Sequence, residues 1–432
     1  MPAIENPRTF LETLFHAAVA AADPVKVLAA NLPEKPKGRT VVIGAGKGAA
    51  QMAQAFERLW DGPLSGAVVT RYGYGAPCER IDVLEASHPL PDENGLKASR
   101  RLLEEVNALG ENDLVVALIC GGGSALLPMP TDGLTLDDEI AVNRALLASG
   151  APISAMNAVR KQVSGIKGGR LAAAAYPARV VSLVVSDIPG DDPALVASGP
   201  TIADTSARED ALRYVERYRL DLPQRIMDVI RGGGSAAPRP SDMRFARNTV
   251  RLVASAAVSL EAAAATARAA GVETVILSDA MEGEASDVGR VHAAIAREVA
   301  MRNRPFRKPV VILSGGETTV TIKDGGKGEG KGEGKGKGGR NSEFLLSLAL
   351  GIDGLSGISA LAADTDGIDG SEDNAGAFAD GASVARLAAA DIDAAALLDR
   401  HDSWSAFAAI GGLFMPGPTG TNVNDFRAIL VQ

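Results

Sequence analysis

Short aliphatic and β-branched runs alternate with helical patterns along most of the sequence, and this alternation restricts the fold more than any other feature. Leu114–Ile119 and Arg179–Ser186 are almost continuously apolar, and Thr40–Ile43 is a similar run followed directly by glycines. Strands that are apolar along their whole length are typical of parallel sheets covered by helices on both faces. The pattern therefore predicts an α/β fold with a doubly wound, mainly parallel sheet in the first half of the chain.

A stretch rich in Gly, Pro and Ser, Arg231–Met243, interrupts this alternation before it resumes in the second half. At about 100–200 residues per domain, 432 residues correspond to two or three domains. We therefore predict two α/β domains, residues 1–235 and 236–432. Within the second, Asp324–Gly339 has no apolar residue with which to offset its ordering entropy. We predict a flexible loop over 324–339, with a lysine-rich flap over an anionic ligand as the alternative.

The charge and the cysteine content exclude several classes of function. Nucleic-acid binding needs clustered cations, so a net charge of −9 argues against a nucleic-acid partner. The two cysteines have no zinc-site spacing, and such sparse cysteine fits the cytoplasm. No apolar run of about 20 residues is free of charge, so we expect no membrane span, and the N-terminal segment reads as an amphipathic surface helix rather than a signal peptide. Small molecules are the expected partners, and a homodimer is left open.

The first candidate site is Gly44–Ala49 (GAGKGA), which follows a predicted strand and opens a predicted helix. Gly46 and Gly48 let the backbone approach a ligand, and a helix N-terminus presents free N–H groups to an anion. The motif formally matches a dinucleotide fingerprint, but the next strand ends at Arg71 where an acidic residue is expected, and Arg71 suits a 2′-phosphate. Lys47 fits better as a charge partner for a phosphoryl group or a carboxylate. We favour an anion site and keep a dinucleotide site and a plain turn as alternatives.

The second candidate site is Cys120–Leu127 (CGGGSALL), again directly after a buried strand. Three glycines and a serine at a helix start form a nest for an anion. The nucleophile motif G-x-S-x-G is absent, so we predict a phosphate or substrate cradle rather than a hydrolase. The candidate contacts are Gly122, Gly123 and Ser124. A cluster of cations in Met156–Leu171 adds Asn157 and Lys161 as candidate substrate ligands, with a solvated helix face as an equal alternative.

Two acidic loops follow predicted strands, Ser186–Asp192 and Asp364–Gly370. Carboxylates at the carboxyl ends of strands face the crevice in which α/β proteins bind ligands. Carboxylate oxygens suit Mg²⁺, which proteins normally share with nucleotide phosphates. Asp187 and Asp366 are therefore candidate substrate and metal ligands, and Asx-turn chemistry is the alternative for each loop.

Arg340 stands at the start of a predicted helix, where the helix dipole disfavours a cation. A cation in an unfavourable position hints at function. Glycine-rich turns, cations and acidic loops together favour phosphoryl transfer, which proteins catalyse mainly by positioning and charge stabilisation.

Nine ordered sequence blocks, taken together, resemble the glycerate 2-kinase family, whose C-terminal half is called the MOFRL domain. The blocks are Val42–Ala49, His88–Gly95, Cys120–Leu127, Asn157–Ala172, Ser186–Asp192 with Ala197–Thr201, Ser314–Val320, Gly338–Glu343, Asp364–Gly370 and Thr419–Phe426. Members of this family usually have Gln where Ser342 stands, so the chain departs from the family pattern beside Arg340.

The resemblance implies a Rossmann-like N-terminal domain and a C-terminal α/β domain, with a cleft between them. It further implies ATP-dependent phosphorylation of D-glycerate to 2-phosphoglycerate with Mg²⁺ or another divalent cation. The family's catalytic lysine maps onto Lys47 and its functional arginine onto Arg340. Glycerate is then expected between the Gly121–Ser124 turn and the Asn157–Arg170 stretch.

Three alternatives stay open after this resemblance. Asp187 or Asp366 holds Mg²⁺ or orients the attacking hydroxyl, and the sequence does not separate these roles. Some members of the family are named hydroxypyruvate reductases, so an NAD(P)H-dependent reductase with His88 as proton donor is the main rival function. A non-catalytic sugar-acid binding protein is the other.

Overall fold

The computed structural model describes residues 4–188, 190–203, 205–233, 236–321, 336–370 and 372–432. The chain forms two compact units. One, the parallel-sheet unit, is Pro24–Val253, and the other, the mixed-sheet unit, combines the residues up to Asp23 with Ala254–Gln432. These limits differ from the predicted domains, 1–235 and 236–432, at both ends of the first domain.

Two features of the structure explain the difference. Helix α1 (Pro7–Ala21) buries Leu11, Leu14 and Phe15 in a core that belongs to the mixed-sheet unit, where the Phe15 ring lies 4.9 Å from that of Phe414. The segment after residue 235 continues into a strand at the edge of the parallel sheet. The predicted amphipathic helix is present, but what its apolar face packs against was not apparent from its own sequence.

The parallel-sheet unit contains six strands in the order β3-β2-β1-β4-β5-β6. Its strands are β1 Thr40–Ala45, β2 Ser65–Arg71, β3 Asp82–Ala86, β4 Leu114–Cys120, β5 Arg179–Val185 and β6 Thr249–Ala254. Its helices are α2 Pro24–Ala29, α3 Ala49–Leu59, α4 Glu93–Val106, α5 Gly123–Leu126, α6 Leu136–Ala148, α7 Ile153–Gln162, α8 Arg170–Ala174, α9 Arg208–Arg217 and α10 Gln224–Asp228. Shorter helical turns lie at Val196–Ser198, Val229–Gly233 and Met243–Phe245.

Burial explains why this sheet is parallel. Every residue of β1 and β4 is buried, and the two strands pair in parallel register with Ile43 opposite Ala117. Pairing between β1 and β2, β2 and β3, and β4 and β5 is parallel as well. Strands that are apolar on both faces need helices on both faces, which confirms the predicted doubly wound α/β fold.

The mixed-sheet unit contains a second six-stranded sheet in the order β11-β10-β9-β12-β8-β7. Its strands are β7 Glu273–Met281, β8 Val310–Gly316, β9 Ile358–Asp364, β10 Gly376–Asp380, β11 Leu413–Phe414 and β12 Asp425–Val431. Its other helices are α11 Ala256–Ala269, α12 Ala285–Arg302, α13 Arg340–Gly351, α14 Ser383–Ala389, α15 Ala394–Asp399 and α16 Ser403–Ala409. The predicted α/β class holds here too, but β12 runs antiparallel to both of its neighbours. Among the described strands of this sheet, β7 and β8 form the parallel pair.

The predicted flexible loop, 324–339, falls mostly outside the described residues. Its last four residues are described, and they are anchored. The backbone N–H of Lys337 donates to Asp402 at 3.0 Å, and its carbonyl accepts from the N–H of Trp404 at 2.9 Å. The flexibility of 324–339 stays a prediction. Among the described residues, no helix combines the length and apolar character that a membrane span requires.

Candidate functional site

The first group of candidate residues lies where the strand order of the parallel sheet reverses. Strands β1 and β4 are neighbours, β2 and β3 extend the sheet on one side, and β5 and β6 extend it on the other. Ligands of open α/β sheets bind at the carboxyl ends of the strands at such a switch point. The Gly44–Ala49 turn follows β1 and the Gly121–Ser124 turn follows β4, so the fold places the two predicted anion-binding turns side by side.

Direct contacts join these two turns. The backbone N–H of Lys47 donates to the carbonyl of Gly121 at 2.9 Å. A Cβ on Gly122 would lie 3.0 Å from Lys47 Cγ and 3.2 Å from His88 Nε2. Gly122 also has a φ of +77°, which strains any other L-residue. Gly122 therefore provides the space in which the Lys47 side chain and the His88 ring come together.

Asp187 belongs to the same place. Its carboxylate lies so close to Gly121 that a Cβ on that glycine would be 1.7 Å from Asp187 Oδ2. Asp187 follows β5, the strand next to β4. A half-buried carboxylate thus stands against the turn that bonds to the Lys47 backbone.

A chain of side-chain hydrogen bonds runs from the second turn into the core. Ser124 Oγ is bonded to Ser198 Oγ, and Ser198 donates to Asn157 Oδ1 at 2.8 Å. Arg160 Nη1 donates to the same Asn157 oxygen at 3.2 Å. Ser198 adopts a left-handed backbone conformation with φ of 60°, and a Cβ on Gly123 would come within 2.6 Å of the adjacent Ala197 Cβ. Gly123 thus allows the close approach of the segment that carries Ser198.

The remaining predicted glycines and Lys161 have different surroundings. Gly46 has φ of +132°, and a Cβ there would lie 2.4 Å from the carbonyl oxygen of Cys120, so this position requires glycine. Gly48 is roomier, because a Cβ would make an ordinary 3.6 Å contact with Cys120 Sγ. Lys161 is buried, its backbone carbonyl accepts from Arg170 Nη1 at 3.0 Å, and a Cβ on Gly168 would lie 3.4 Å from its Cγ.

The pKa of His88 shows the electrostatic character of this region. Burial lowers the pKa of the His88 imidazole to about 4, and three nearby cations reinforce the shift. These cations are Lys47, Arg71 and Arg160. In a chain of net charge −9, the switch point of the parallel sheet is thus locally cationic, as an anionic ligand requires.

This shift of the His88 pKa leads to a measurable expectation. The His88 ring should stay neutral from about pH 8 to pH 5.5, a range in which an ordinary histidine becomes protonated. Binding of an anion among the cations should raise the pKa of His88, because the anion offsets their repulsion of the imidazolium. Histidine-labelled NMR titration, with His88→Gln to assign the resonance, measures both effects. Titration of this resonance at the ordinary value in the free protein would contradict the expectation.

The second group of candidate residues surrounds Arg340 in the mixed-sheet unit. Arg340 is the first residue of α13, as predicted, and its guanidinium bonds to three carboxylates. The Nε–Asp425 Oδ1 and Nη2–Asp364 Oδ2 distances are both 2.6 Å, and the Nη1–Glu317 Oε1 distance is 2.9 Å. Burial works against the charge, but these carboxylates raise the pKa of Arg340 above its ordinary value.

The cluster around Arg340 extends into the core through two further pairs. Arg427, which is fully buried, donates to Asp425, and Asn341 Nδ2 donates to Asp425 Oδ1 at 2.8 Å. Burial raises the pKa of Asp364 well above its usual value, although the neighbouring Arg340 opposes the shift. We infer that Arg340 and Arg427 offset a concentration of buried carboxylates that would otherwise be unstable.

Ser342, the departure from the family pattern, has a structural partner. Its backbone N–H and its hydroxyl both donate to Asp369 Oδ2, at 2.8 and 2.7 Å. The backbone N–H of Asn341 donates to Asp369 Oδ1 at 2.9 Å. Asp369 thus accepts bonds from the first turn of α13, and an acidic group is favourable at this end of the helix dipole.

Comparisons with known proteins support one family assignment. Residues 10–231 match the domain of unknown function DUF4147, and residues 310–425 match the MOFRL family. A D-glycerate 2-kinase from Thermotoga maritima is 37% identical over 410 residues, which cover 94% of each chain. The chain belongs to the glycerate 2-kinase family.

Two further comparisons bear on the family assignment. The crystal structure of a glycerate kinase from Thermotoga maritima matches with a TM-score of 0.87 and 36% identity, over 98% of this chain and 99% of that one. A protein from Agrobacterium vitis, provisionally named hydroxypyruvate reductase, is 53% identical over 99% of this chain and 95% of its own. The fold prediction and the family resemblance are thus confirmed over the whole length.

The predicted metal ligand of this family member does not form a metal site by itself. Asp366 accepts a bond from the backbone N–H of Ile368 at 2.9 Å and one from Asn422 Nδ2 at 3.2 Å. Its neighbour Asp364 is ion-paired with Arg340. Within the described ranges, no three His, Cys, Asp or Glu side chains are placed to hold a metal ion. These residues do not fit a resident metal, so we treat Mg²⁺ as part of the nucleotide substrate.

Several residues of these sites were not singled out as site residues from the sequence. They are Arg160, Ser198, Glu317, Asn341, Asp364, Asp425 and Arg427. Most lie inside the blocks that resemble the family, so the signal was present but did not distinguish them from their neighbours. Arg340 and Asp425 are 85 positions apart, and only the pairing of β12 with β8 and β9 brings such residues together.

Proposed function

We propose that this chain is an ATP-dependent kinase that phosphorylates the C2 hydroxyl of D-glycerate and produces 2-phosphoglycerate. The observation that carries the proposal is the pair of glycine turns at the switch point, with Lys47, Arg71 and Arg160 close enough to shift the pKa of His88. Both substrates, glycerate and ATP, are anions. The relatives named glycerate kinases match over nearly the whole chain, which supports the same assignment.

Lys47 and Asp187 have complementary roles in this proposal. The C2 oxygen of glycerate attacks the γ-phosphorus, a new P–O bond forms, the bond to the β–γ bridging oxygen breaks, and ADP leaves. Lys47 neutralises charge on the transferring group, and its flexible stem lets the ammonium follow the oxygens as they move. Asp187, at Gly121, orients the attacking hydroxyl and accepts its proton. Gly46, Gly122 and Gly123 give the backbone the close approach that both substrates need.

Arg340 is proposed as a further catalytic cation, with MgATP as the nucleotide substrate. A guanidinium has five N–H donors, and the three bonds to carboxylates use three of them. The remaining donors are available to a phosphate oxygen. The Mg²⁺ that accompanies the nucleotide phosphates arrives with the substrate, and Asp366, a partly exposed carboxylate in the loop after β9, is proposed as its protein ligand. We further propose that the enzyme is cytoplasmic and that two copies of the chain form a homodimer.

The reductase alternative is less well supported by the residues. Strand β2 ends at Arg71, so the acidic residue that binds the ribose of NAD is absent from this position, and Arg71 would suit only the 2′-phosphate of NADP. His88, the candidate proton donor, has a pKa of about 4 because of burial and nearby cations, so its ring is neutral at pH 7. A neutral imidazole is a poor proton donor, and these cations also oppose its protonation.

One assay separates the rival functions. Incubation of the protein with D-glycerate, ATP and Mg²⁺ should release ADP, whereas hydroxypyruvate with NADH or NADPH should show no nicotinamide oxidation. Coupling through enolase should report turnover without added phosphoglycerate mutase, because the expected product carries phosphate at C2. Nicotinamide oxidation without ADP release would establish the reductase. A strict requirement for the mutase would show that C3 is phosphorylated instead.

A further inference from the structure

Arg160 differs in its partners from two other buried cations, Lys167 and Arg427. Its side chain is 7% exposed, and Lys167 and Arg427 are buried even more deeply. Lys167 is ion-paired with Glu139 at 2.7 Å, and Arg427 with Asp425. Across the part of the chain that the structure describes, no carboxylate lies within ion-pair distance of Arg160. A buried charge without a counter-ion is costly, so its retention indicates that an anion completes the site.

The hydrogen bonds of Arg160 hold its guanidinium in a fixed plane. Its Nε donates to Asn143 Oδ1 at 2.9 Å, and its Nη1 donates to Asn157 Oδ1 at 3.2 Å. Both acceptors are neutral amide oxygens, and they use two of the five N–H donors. These two bonds leave one N–H on Nη1 and two on Nη2, and a guanidinium can give a planar anion two parallel bonds.

Two observations place Arg160 at the glycine turns. Its charge is among those that lower the pKa of His88, whose ring stands against Gly122. Asn157, its hydrogen-bond acceptor, also accepts from Ser198, which is bonded to Ser124 in the second turn. The charge of Glu139 raises the pKa of Arg160, but that carboxylate is ion-paired with Lys167.

We propose that Arg160 binds the carboxylate of the acceptor substrate, so that the site selects 2-hydroxy acids over neutral alcohols. This inference rests on the proposed kinase function and adds the group by which the acceptor is recognised. A planar fork held by two amides matches a carboxylate, whereas the mobile ammonium of Lys47 suits a phosphoryl group whose oxygens move during transfer. Asn143 and Asn157 are positioning residues in this arrangement.

Substrate discrimination tests the proposal without relying on any variant. The wild-type enzyme should phosphorylate D-glycerate with a kcat/KM about 10- to 100-fold above that for D-glyceramide, in line with the strength of a hydrogen bond to a charged group. Arg160→Gln should lose a similar factor with D-glycerate and little with D-glyceramide, so that the discrimination disappears. The KM for ATP should stay within about twofold. Arg144→Gln, an exposed arginine beside Asn143, is the matched control and should keep the wild-type preference.

Three results would overturn this assignment. One is equal use of the acid and the amide by the wild-type enzyme, and another is an equal loss on both substrates in a folded Arg160→Gln protein. If the wild-type protein releases no ADP with D-glycerate, the kinase proposal itself fails, and titration calorimetry then decides the role of Arg160. Tighter binding of D-glycerate than of D-glyceramide would support the carboxylate site. The third result that would overturn the assignment is that the protein binds neither compound, or binds both equally.

Discussion

The Lys47→Met enzyme is expected to fold normally and to lose about 10²- to 10³-fold in kcat, equivalent to about 3–4 kcal/mol of transition-state stabilisation. Methionine keeps the length of the side chain and removes its charge. Lys47 is half-buried, and its aliphatic stem packs over Gly122, a contact that methionine can keep. In the proposed mechanism, its ammonium acts mainly in the transition state, when charge redistributes onto the transferring group. Stability should therefore change little while turnover falls.

Steady-state kinetics and a thermal melt check this expectation together. Lys97→Met, an exposed lysine on α4 of the same unit, is the matched control and should resemble wild type in both measurements. The KM for D-glycerate should rise much less than kcat falls. A Lys47→Met enzyme within tenfold of the wild-type kcat would remove Lys47 from the mechanism, and the dinucleotide and plain-turn interpretations of the GAGKGA motif would return.

The Arg340→Met protein is expected to behave in the opposite way, with a large loss of stability as well as of activity. Removing this guanidinium leaves Asp364 and Asp425 buried, and among the described residues Arg427 is then the buried cation beside them. Breaking a buried ion pair by removing one partner typically costs about 3–5 kcal/mol. For a unit of this size, that corresponds to a fall of about 10 °C in the lowest melting transition.

A second substitution identifies the cause. Asp364→Asn removes one of the excess carboxylates, so the Arg340→Met/Asp364→Asn protein should recover part of the lost melting temperature. Arg386→Met, which removes an exposed arginine paired with Asp380, is the control and should change the melting temperature little. A wild-type melt for Arg340→Met would show that the cluster does not depend on this cation. If the protein melts early but keeps its kcat when assayed cold, Arg340 is structural and not catalytic.

Pattern and propensity were sufficient to predict the elements that are apolar along their whole length. The runs that became β1 and β4 are buried throughout, and β5 is buried at every residue after Arg179. Their alternation with helices leaves few arrangements other than a covered parallel sheet. The C-terminal strand β12 is equally buried but was not predicted, because its sequence, DFRAILV, carries an arginine in the middle. Arg427 is tolerated there because Asp425, Thr318 and Gly315 all bond to it.

Some residues of the candidate site could be recognised from their neighbours in the sequence, and others could not. Lys47 and the glycines of both turns were recognisable because a turn after a strand uses local rules of backbone conformation. The residues that surround His88 could not be recognised from the sequence, because they come from β2, α7 and the turn after β1. No sequence motif links these four residues, and the strand order of the sheet brings them together.

The sequence by itself determined the fold class, the two glycine turns and the family, because each depends on short segments whose conformation is set by neighbouring residues. Only the tertiary structure decided which unit α1 joins, that Arg340 is surrounded by carboxylates, and that Arg160 is buried without an acidic partner among the described residues. These properties depend on contacts between residues tens or hundreds of positions apart, and on burial, which converts a charge that is unimportant in water into a costly one.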